Sequence, residues 1–315
     1  MRLMPVLAAA LALSATAAFA DGYPVTVKSC DRDVTFDKAP THAVSNDVNL
    51  TEMMLALGLT DHMVGFTGVS AWKTLDEKLR EGVKELPELS ADYPTKEVLL
   101  GANADFYFAG WNYGLKVGGE VTPETLAPFG IKVYELTESC IHIMKKNKSS
   151  MDDMYDDLLN LGKIFDVEDK AAALVDGYKK ELTDFEATLP KLDKPVKMFV
   201  YDSGEDKPFT AGKYAIPTAL IEAAGGTNIM DDVEDSWVEV GWEPVIERNP
   251  DVIGIVDYGD VTADQKEAFM ENNPAFKDIP AVKNQRFVVL PYVEWTPGPQ
   301  NIEAVKALAA AIHQQ

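Results

Sequence analysis

The sequence predicts an α/β protein of two similar lobes joined by one long α-helix, with a ligand cleft between the lobes. Three observations predict it: a passage that occurs twice, strands alternating with helices around each copy, and one long amphipathic helix between the copies. Glu97-Val98-Leu99-Leu100 leads through Asn103-Ala104-Asp105 into the apolar run Phe106-Tyr107-Phe108. Glu243-Pro244-Val245-Ile246 leads through Asn249-Pro250-Asp251 into Val252-Ile253-Gly254-Ile255. In each copy the glutamate opens a short helix, the Asn-x-Asp turn ends it, and a fully apolar strand follows.

Residues 1–20 are read as a secretory signal. Arg2 is a minimal basic start, Val6 to Ala18 is apolar and alanine-rich, and Ala18-Phe19-Ala20 fits the small-x-small cleavage pattern. The apolar stretch is short for a membrane span, which needs roughly 20 predominantly apolar residues. No cysteine follows the predicted cut, so no lipid anchor is expected, and the chain is placed in a Gram-negative periplasm. A mature chain of about 295 residues exceeds what one core usually supports. The expected division is an N-terminal lobe at 21–167, a connecting helix at 168–190 and a C-terminal lobe at 191–315.

Taken in order, Val25 to Lys28 and Asp33 to Phe36 read as a small hairpin. Ala43 to Asn46 is a strand, Leu50 to Leu57 a helix stopped at Gly58, and Met63 to Phe66 a strand. A helix near Thr74 to Arg80, the Glu97 unit, a helix near Pro123 to Phe129 and the strand Lys132 to Leu136 follow. Interleaving at this spacing argues for parallel sheet with crossover helices, a Rossmann-like build. Between the halves, Ala171, Leu174, Val175, Tyr178, Leu182, Phe185 and Leu189 share one helical face. A helix from Lys170 to Leu189 would be roughly 30 Å long at 1.5 Å per residue, a stiff strut ended by Pro190 and Pro195. The second half repeats the pattern: strand Val196 to Tyr201, helix Pro217 to Ala224 stopped at Gly225-Gly226, and the Glu243 unit. A helix near Ala263 to Met270, strand Arg286 to Leu290 and a final helix Asn301 to His313 complete it.

Lys and Arg total 29 against 51 Asp and Glu, a net charge of -22 that becomes one unit more negative without Arg2. Such a surface repels nucleic acid and anionic lipid, so no nucleic-acid partner is expected. Cys30 and Cys140 are the two cysteines, and in an oxidising compartment two thiols are more often a structural disulfide than a metal site. A bridge would staple the first lobe to its own N-terminal ribbon. Pairing requires Cα atoms about 4.4 to 6.8 Å apart, which the sequence does not give.

Enzyme signatures are missing: there is no Gly-x-Ser-x-Gly elbow, no phosphate-binding loop, no His-Glu-x-x-His and no strand-following Gly-x-Gly-x-x-Gly. His42, His62, His142 and His313 are scattered and read as surface imidazoles, too few in the right loops for a zinc or manganese site. No resident cofactor and no protein-bound metal are expected. Aromatic residues instead gather in strand-following loops, where α/β sheets place ligands. Trp72 follows Phe66, and Trp111 with Tyr113 follows Phe108. Phe209 and Tyr214 follow Tyr201, Trp237 and Trp242 flank the second glutamate unit, and Tyr292 with Trp295 follows Leu290. As a set they predict a shared aromatic cleft that covers a large, partly apolar ligand by area burial and stacking. Lys73, Lys116 and Lys213 lie in the same kind of loop, with Lys213 best placed to orient a polar or anionic edge.

Phe209-Thr210-Ala211-Gly212-Lys213, Gly225-Gly226-Thr227-Asn228-Ile229, and Trp237 with Glu243 and Asn249-Pro250-Asp251 carry a likeness. So do Asn49-Leu50-Thr51-Glu52 and Leu55-Ala56-Leu57-Gly58, with Glu97 and Asp105. In this order the mature chain resembles the extracytoplasmic substrate-binding proteins of ABC importers for ferric siderophores, haem and cobalamin. The resemblance implies two lobes on one long helix, little hinge motion, no catalysis, and monomeric capture of one metal chelate, foremost a ferric siderophore. It leaves a corrinoid, haem or free transition-metal capture as alternatives and an exported hydrolase as the remotest. Glu97 and Glu243 match the glutamates that, in that family, meet arginines on the permease dimer of the inner membrane. Trp111 and Trp237 match positions where cobalamin and siderophore binders place aromatics. Trp72 stands where haem binders carry a tyrosine, which weakens the haem reading. The arrangement of Cys30 and Cys140 is similar to that of a subgroup of iron-siderophore or metal-chelate binders.

Overall fold

The computed structural model describes residues 22–73 and 75–314, and the expected signal segment lies outside them. Strands β1 (Val25–Ser29) and β2 (Arg32–Phe36) form an antiparallel ribbon. The first lobe continues with β3 (Ala43–Asn46), α1 (Val48–Ala56), β4 (Met63–Thr67), α2 (Glu77–Val83) and β5 (Glu88–Ser90). It ends with α3 (Lys96–Gly101), β6 (Phe106–Trp111), β7 (Gly114–Leu115), α4 (Pro123–Leu126) and β8 (Lys132–Glu135). Helices α5 (Met151–Ile164) and α6 (Glu168–Glu186) lie between the halves. The second lobe holds β9 (Val196–Tyr201), β10 (Phe209–Ala211), α7 (Ile216–Ala223), β11 (Gly226–Asn228), β12 (Trp237–Glu239) and α8 (Trp242–Arg248). Then come β13 (Val252–Asp257), α9 (Ala263–Asn272), α10 (Pro280–Lys283), β14 (Phe287–Pro291) and α11 (Asn301–His313). No helix among the described residues is long and apolar enough to cross a membrane.

The first sheet runs β5-β4-β3-β6-β7, with β8 also paired to β6, all parallel. The second runs β11-β9-β13-β14, also all parallel. In each sheet the chain works outward in one direction and then returns to the middle to build the other side. The reversal falls between β3 and β6 in one lobe and between β9 and β13 in the other. Crevices open at such reversals, outside the carboxyl ends of the strands, and these are the ligand positions of open α/β sheets.

The duplicated passage has the same local structure twice. Asn103 (φ 51) and Asn249 (φ 57) end α3 and α8 in the left-handed region that Asn tolerates. The Asp105 carboxylate then accepts the His42 backbone N–H at 2.9 Å, and Asp251 accepts that of Lys197 at 3.0 Å. Each aspartate thereby ties its central strand to the neighbouring one. The Asn-x-Asp half of the repeat is structural, which leaves the exposed Glu97 and Glu243 to be explained otherwise.

Helix α6 is the predicted strut, roughly 28 Å long at 1.5 Å per residue. Ala171 and Val175 are buried in the main core, with Leu174, Tyr178, Leu182 and Phe185 packed against it. The strut is not alone, however. The sequence reading named no element at 151–164, yet α5 packs on α6 there, and a Cβ on Gly162 would lie 2.5 Å from that of Ala171. Only glycine permits so close a helix pair. Other boundaries shift for local reasons: α2 starts at Glu77 because the Asp76 carboxylate accepts the Leu79 N–H at 2.7 Å, and β6 runs on to Trp111. Phe209 and Trp237, expected in loops, lie instead on the short strands β10 and β12, which pair antiparallel.

Cys30 and Cys140 are bonded, with Cα atoms 5.3 Å apart. The bridge closes a loop across a separation of 110 residues and clamps the β1–β2 turn to the 3-10 segment Thr137–His142. A crosslink of this span contributes about 2–5 kcal/mol, chiefly by restricting the unfolded chain.

Candidate functional site: an aromatic cavity between the lobes

The two reversals face one cavity of about 160 Å³. The first lobe contributes Trp72, Tyr93, Asn112, Tyr113 and His142. The second contributes Asp202, Phe209, Ser236, Trp237, Tyr258 and Tyr292. The strands dictate this set: Asn112 and Tyr113 follow β6, Asp202 follows β9, Tyr258 follows β13 and Tyr292 follows β14. Phe209 and Trp237 are stacked at 6.0 Å between centroids and 25° between planes, held by the β10–β12 ladder. Trp72 meets Tyr258 at 5.6 Å across the lobes, and Tyr258 meets Tyr292 at 5.3 Å.

Next to the cavity sits a buried ion pair. Asp47 caps α1 at φ 71 and ψ 162, a region that costs a non-glycine residue about 1–3 kcal/mol. Its Oδ1 accepts the Val48 N–H at 2.7 Å. Its Oδ2 accepts the hydroxyls of Tyr93 at 2.9 Å and of Tyr292, from the other lobe, at 3.2 Å, and is ion-paired to the Lys73 ammonium. Lys73 Nζ lies 3.8, 4.8 and 5.0 Å from the ring centroids of Trp72, Tyr292 and Tyr93. Burial lowers the Lys73 pKa against the pull of Asp47.

Burial is also the chief reason why the phenols of Tyr93, Tyr113, Tyr258 and Tyr292 stand well above their ordinary value, so they line the site as neutral groups. His142, hydrogen-bonded to Asn112 at 3.2 Å, is lowered by burial and is neutral near pH 7. Asp202 is the acidic member of the wall, raised by burial, and its Oδ1 accepts the Tyr258 and Ser203 hydroxyls, each at 2.7 Å. No Lys or Arg is among the lining residues.

Further hydrogen bonds join the two lobes. Asn49 Nδ2 donates to the Pro297 carbonyl at 2.8 Å, Gln300 Nε2 to Glu52 at 3.0 Å, and the Gly259 N–H to the Trp72 carbonyl at 3.0 Å. The Ile216 N–H, at the start of α7, also crosses between the lobes, donating to Glu138 Oε1 at 2.5 Å, while Glu138 Oε2 has no partner. Burial pushes the Glu138 carboxyl from 4.5 up to about 8. The folded protein therefore keeps a proton that the unfolded chain releases. This contribution to stability is complete below the unfolded value and is lost as pH rises through the folded one. Glu138→Gln keeps the acceptor and removes the titration, so its urea midpoint is expected to vary less from about pH 5 to about pH 8 than that of the wild type. A variant with the wild-type pH dependence would contradict the assignment.

Five of the sequence-predicted residues line this cavity: Trp72, Tyr113, Phe209, Trp237 and Tyr292. The other five do not, and each has a reason. The Trp111 indole N–H donates to Glu135 Oε1 at 2.8 Å inside the first lobe, against a carboxylate also held by Ser29 and Arg32. Trp295 is fully buried, donates to the Ile255 carbonyl at 3.2 Å and fills the space that a side chain on Gly254 would need. Trp242 donates to the Glu205 carbonyl at 2.6 Å and packs on Phe276 at 4.6 Å in the second lobe's own core. Lys213 pairs with Glu234 at 3.5 Å and lies over the ring of Tyr214, itself largely buried. Sequence reasoning missed Tyr93, Asn112, Ser236, Asp202 and Tyr258, and set His142 aside as a surface imidazole. Asp202 and Tyr258 carried a usable signal, since each directly follows a central strand.

The model of the family described as periplasmic binding protein matches residues 44–293. The chain belongs to that family, one of substrate-binding transport proteins rather than enzymes. It is 26% identical over 298 residues to the uncharacterized ABC transporter substrate-binding lipoprotein YvrC of Bacillus subtilis, covering 92% of this chain and 86% of that one. A solved periplasmic binding protein from Veillonella parvula is 31% identical with a TM-score of 0.81, over 93% of this chain and 99% of that one. A structure described as a possible iron-binding (periplasmic solute-binding) protein from Staphylococcus epidermidis is 26% identical with a TM-score of 0.66, over 88% and 100% of the chains. The protein is thus the substrate-binding component of an ABC transporter, the part that works with a membrane permease and its ATPase.

Proposed function

We propose that the cavity binds an organic metal chelate, foremost a ferric siderophore, and that the monomeric protein presents it to a permease dimer through Glu97 and Glu243. The observation that carries this reading is the cavity itself, with seven Phe, Tyr and Trp rings drawn from both lobes at the two strand-order reversals. A chelate brings its own metal ligands, and among the described residues no group of three or more His, Cys, Asp and Glu converges on a common point. The description of the Staphylococcus epidermidis relative as possibly iron-binding points the same way.

The size of the cavity constrains the pose. About 160 Å³ is below the roughly 300–1,000 Å³ of typical small-molecule sites. A whole chelate exceeds this volume. With little hinge motion, the cavity takes one appendage of the ligand while the bulk lies at its mouth. A thermal-shift screen with ferric hydroxamates, ferric catecholates, haem and cobalamin tests the class. Stabilisation by a ferric hydroxamate is expected, and stabilisation by haem or cobalamin alone would overturn the siderophore reading.

A further inference from the structure

We propose that the cavity seats an organic ammonium group, carried either by a small free cation or by the arm of a chelate. The inference rests on the reading of this cleft as the ligand site and specifies the charge of what enters it. Among the lining residues Asp202 is the only carboxylate and no cation is present. Asp202 is only 4% exposed, and both of its donors, Tyr258 and Ser203, reach Oδ1. No hydrogen bond reaches its Oδ2 among the described residues. Lys266 is near enough to favour the ionised Asp202, but among the described residues no ion pair or hydrogen bond joins the two: its ammonium donates to the Val256 carbonyl at 2.6 Å and lies 4.9 Å from the Tyr258 ring centroid.

The protein already shows how such walls treat an ammonium. Lys73 sits against the rings of Trp72, Tyr93 and Tyr292, with a carboxylate as counter-ion. Elsewhere in the lining, among the described residues, no side-chain cation lies over the rings of Tyr113, Phe209 or Trp237, and Asp202 supplies the carboxylate. Ring faces attract cations, and alkylated ammonium groups are what aromatic cages recognise. A neutral apolar arm would cover Asp202 Oδ2 without giving it a donor, which is costly. An anionic arm would meet that carboxylate in a chain of net charge -22.

Four probes separate the sources: tetramethylammonium, a linear ferric tris-hydroxamate with a terminal ammonium, the same chelate N-acetylated, and the same chelate N-succinylated. Each is titrated calorimetrically into wild type and Asp202→Asn, which keeps an acceptor for Tyr258. The ammonium chelate is expected to bind at least about tenfold tighter than the acetylated one, with the succinylated form weaker again. Asp202→Asn is expected to cost about tenfold for the cationic probes only. Equal affinity across the three chelates, or an equal loss for all of them in Asp202→Asn, overturns the ammonium assignment and leaves the chelate reading standing. Binding of tetramethylammonium without any chelate supports the ammonium site and overturns the chelate reading. Binding of none overturns both.

Discussion

Replacing Lys73 with methionine is expected to destabilise the protein by about 3–5 kcal/mol. The Lys73 and Asp47 side chains are 1% and 0% exposed, so neither charge can be rescued by water. Methionine fills the space of the lysine stem and leaves the Asp47 carboxylate with two hydroxyl donors and no counter-ion. That carboxylate also sits on a residue held at φ 71, a geometry that its bonds to Val48, Tyr93 and Tyr292 must maintain. Because Tyr292 belongs to the other lobe, the loss reaches the lobe interface as well. A buried pair is costly to break and nearly neutral to replace, so Asp47→Asn combined with Lys73→Met is expected to return to within about 1–2 kcal/mol of wild type. Urea unfolding of the single and double variants checks this. A single variant with an unchanged midpoint would show that the pair is solvated.

Glu97→Ala together with Glu243→Ala is expected to abolish uptake in cells and to leave ligand affinity and stability as they are. Both glutamates are exposed and lie in the first turn of a helix that leads into the central strand of its sheet. Crossover helices run antiparallel to the strands, so the starts of α3 and α8 lie at the same end of the sheets as the cleft. Hydrogen bonds from its own backbone N–H and from Thr95 hold the Glu97 carboxyl below its ordinary value, so it is ionised and free to meet an arginine. Exposed charges of this kind carry almost no folding energy. Loss of binding in the double variant, or normal uptake, would refute a docking role.

Much of the fold was legible because alternation of apolar runs and helical periods is written locally. Val196–Tyr201 and Asn301–His313 appear as read, and the duplicated turns at Asn103 and Asn249 declare two related sheets. Helix α5 was missed although Met154, Leu158 and Leu161 have helical spacing, because its four aspartates dilute the apolar face. In the site, the sequence identified loops rather than directions. Trp72 and Trp237 turn to the cavity, while Trp111, Trp242 and Trp295 find acceptors for their indole N–H groups inside their own lobes. That choice depends on where Glu135 and the Glu205 and Ile255 carbonyls lie in space, which no local pattern reveals. Asp202 was overlooked for a different reason: in a chain with 51 acidic residues, one carboxylate has no distinguishing mark until its burial is known.

If rings from both lobes grip the ligand in one cavity, the dissociation constant of Trp237→Ala for the best ligand of the screen must reveal it. Trp237 is only partly buried and its backbone stays in the β10–β12 ladder, so the variant folds. Binding weakened by about tenfold to a hundredfold is expected, the value of a large aromatic contact at the centre of a site. Wild-type affinity in that variant would contradict it.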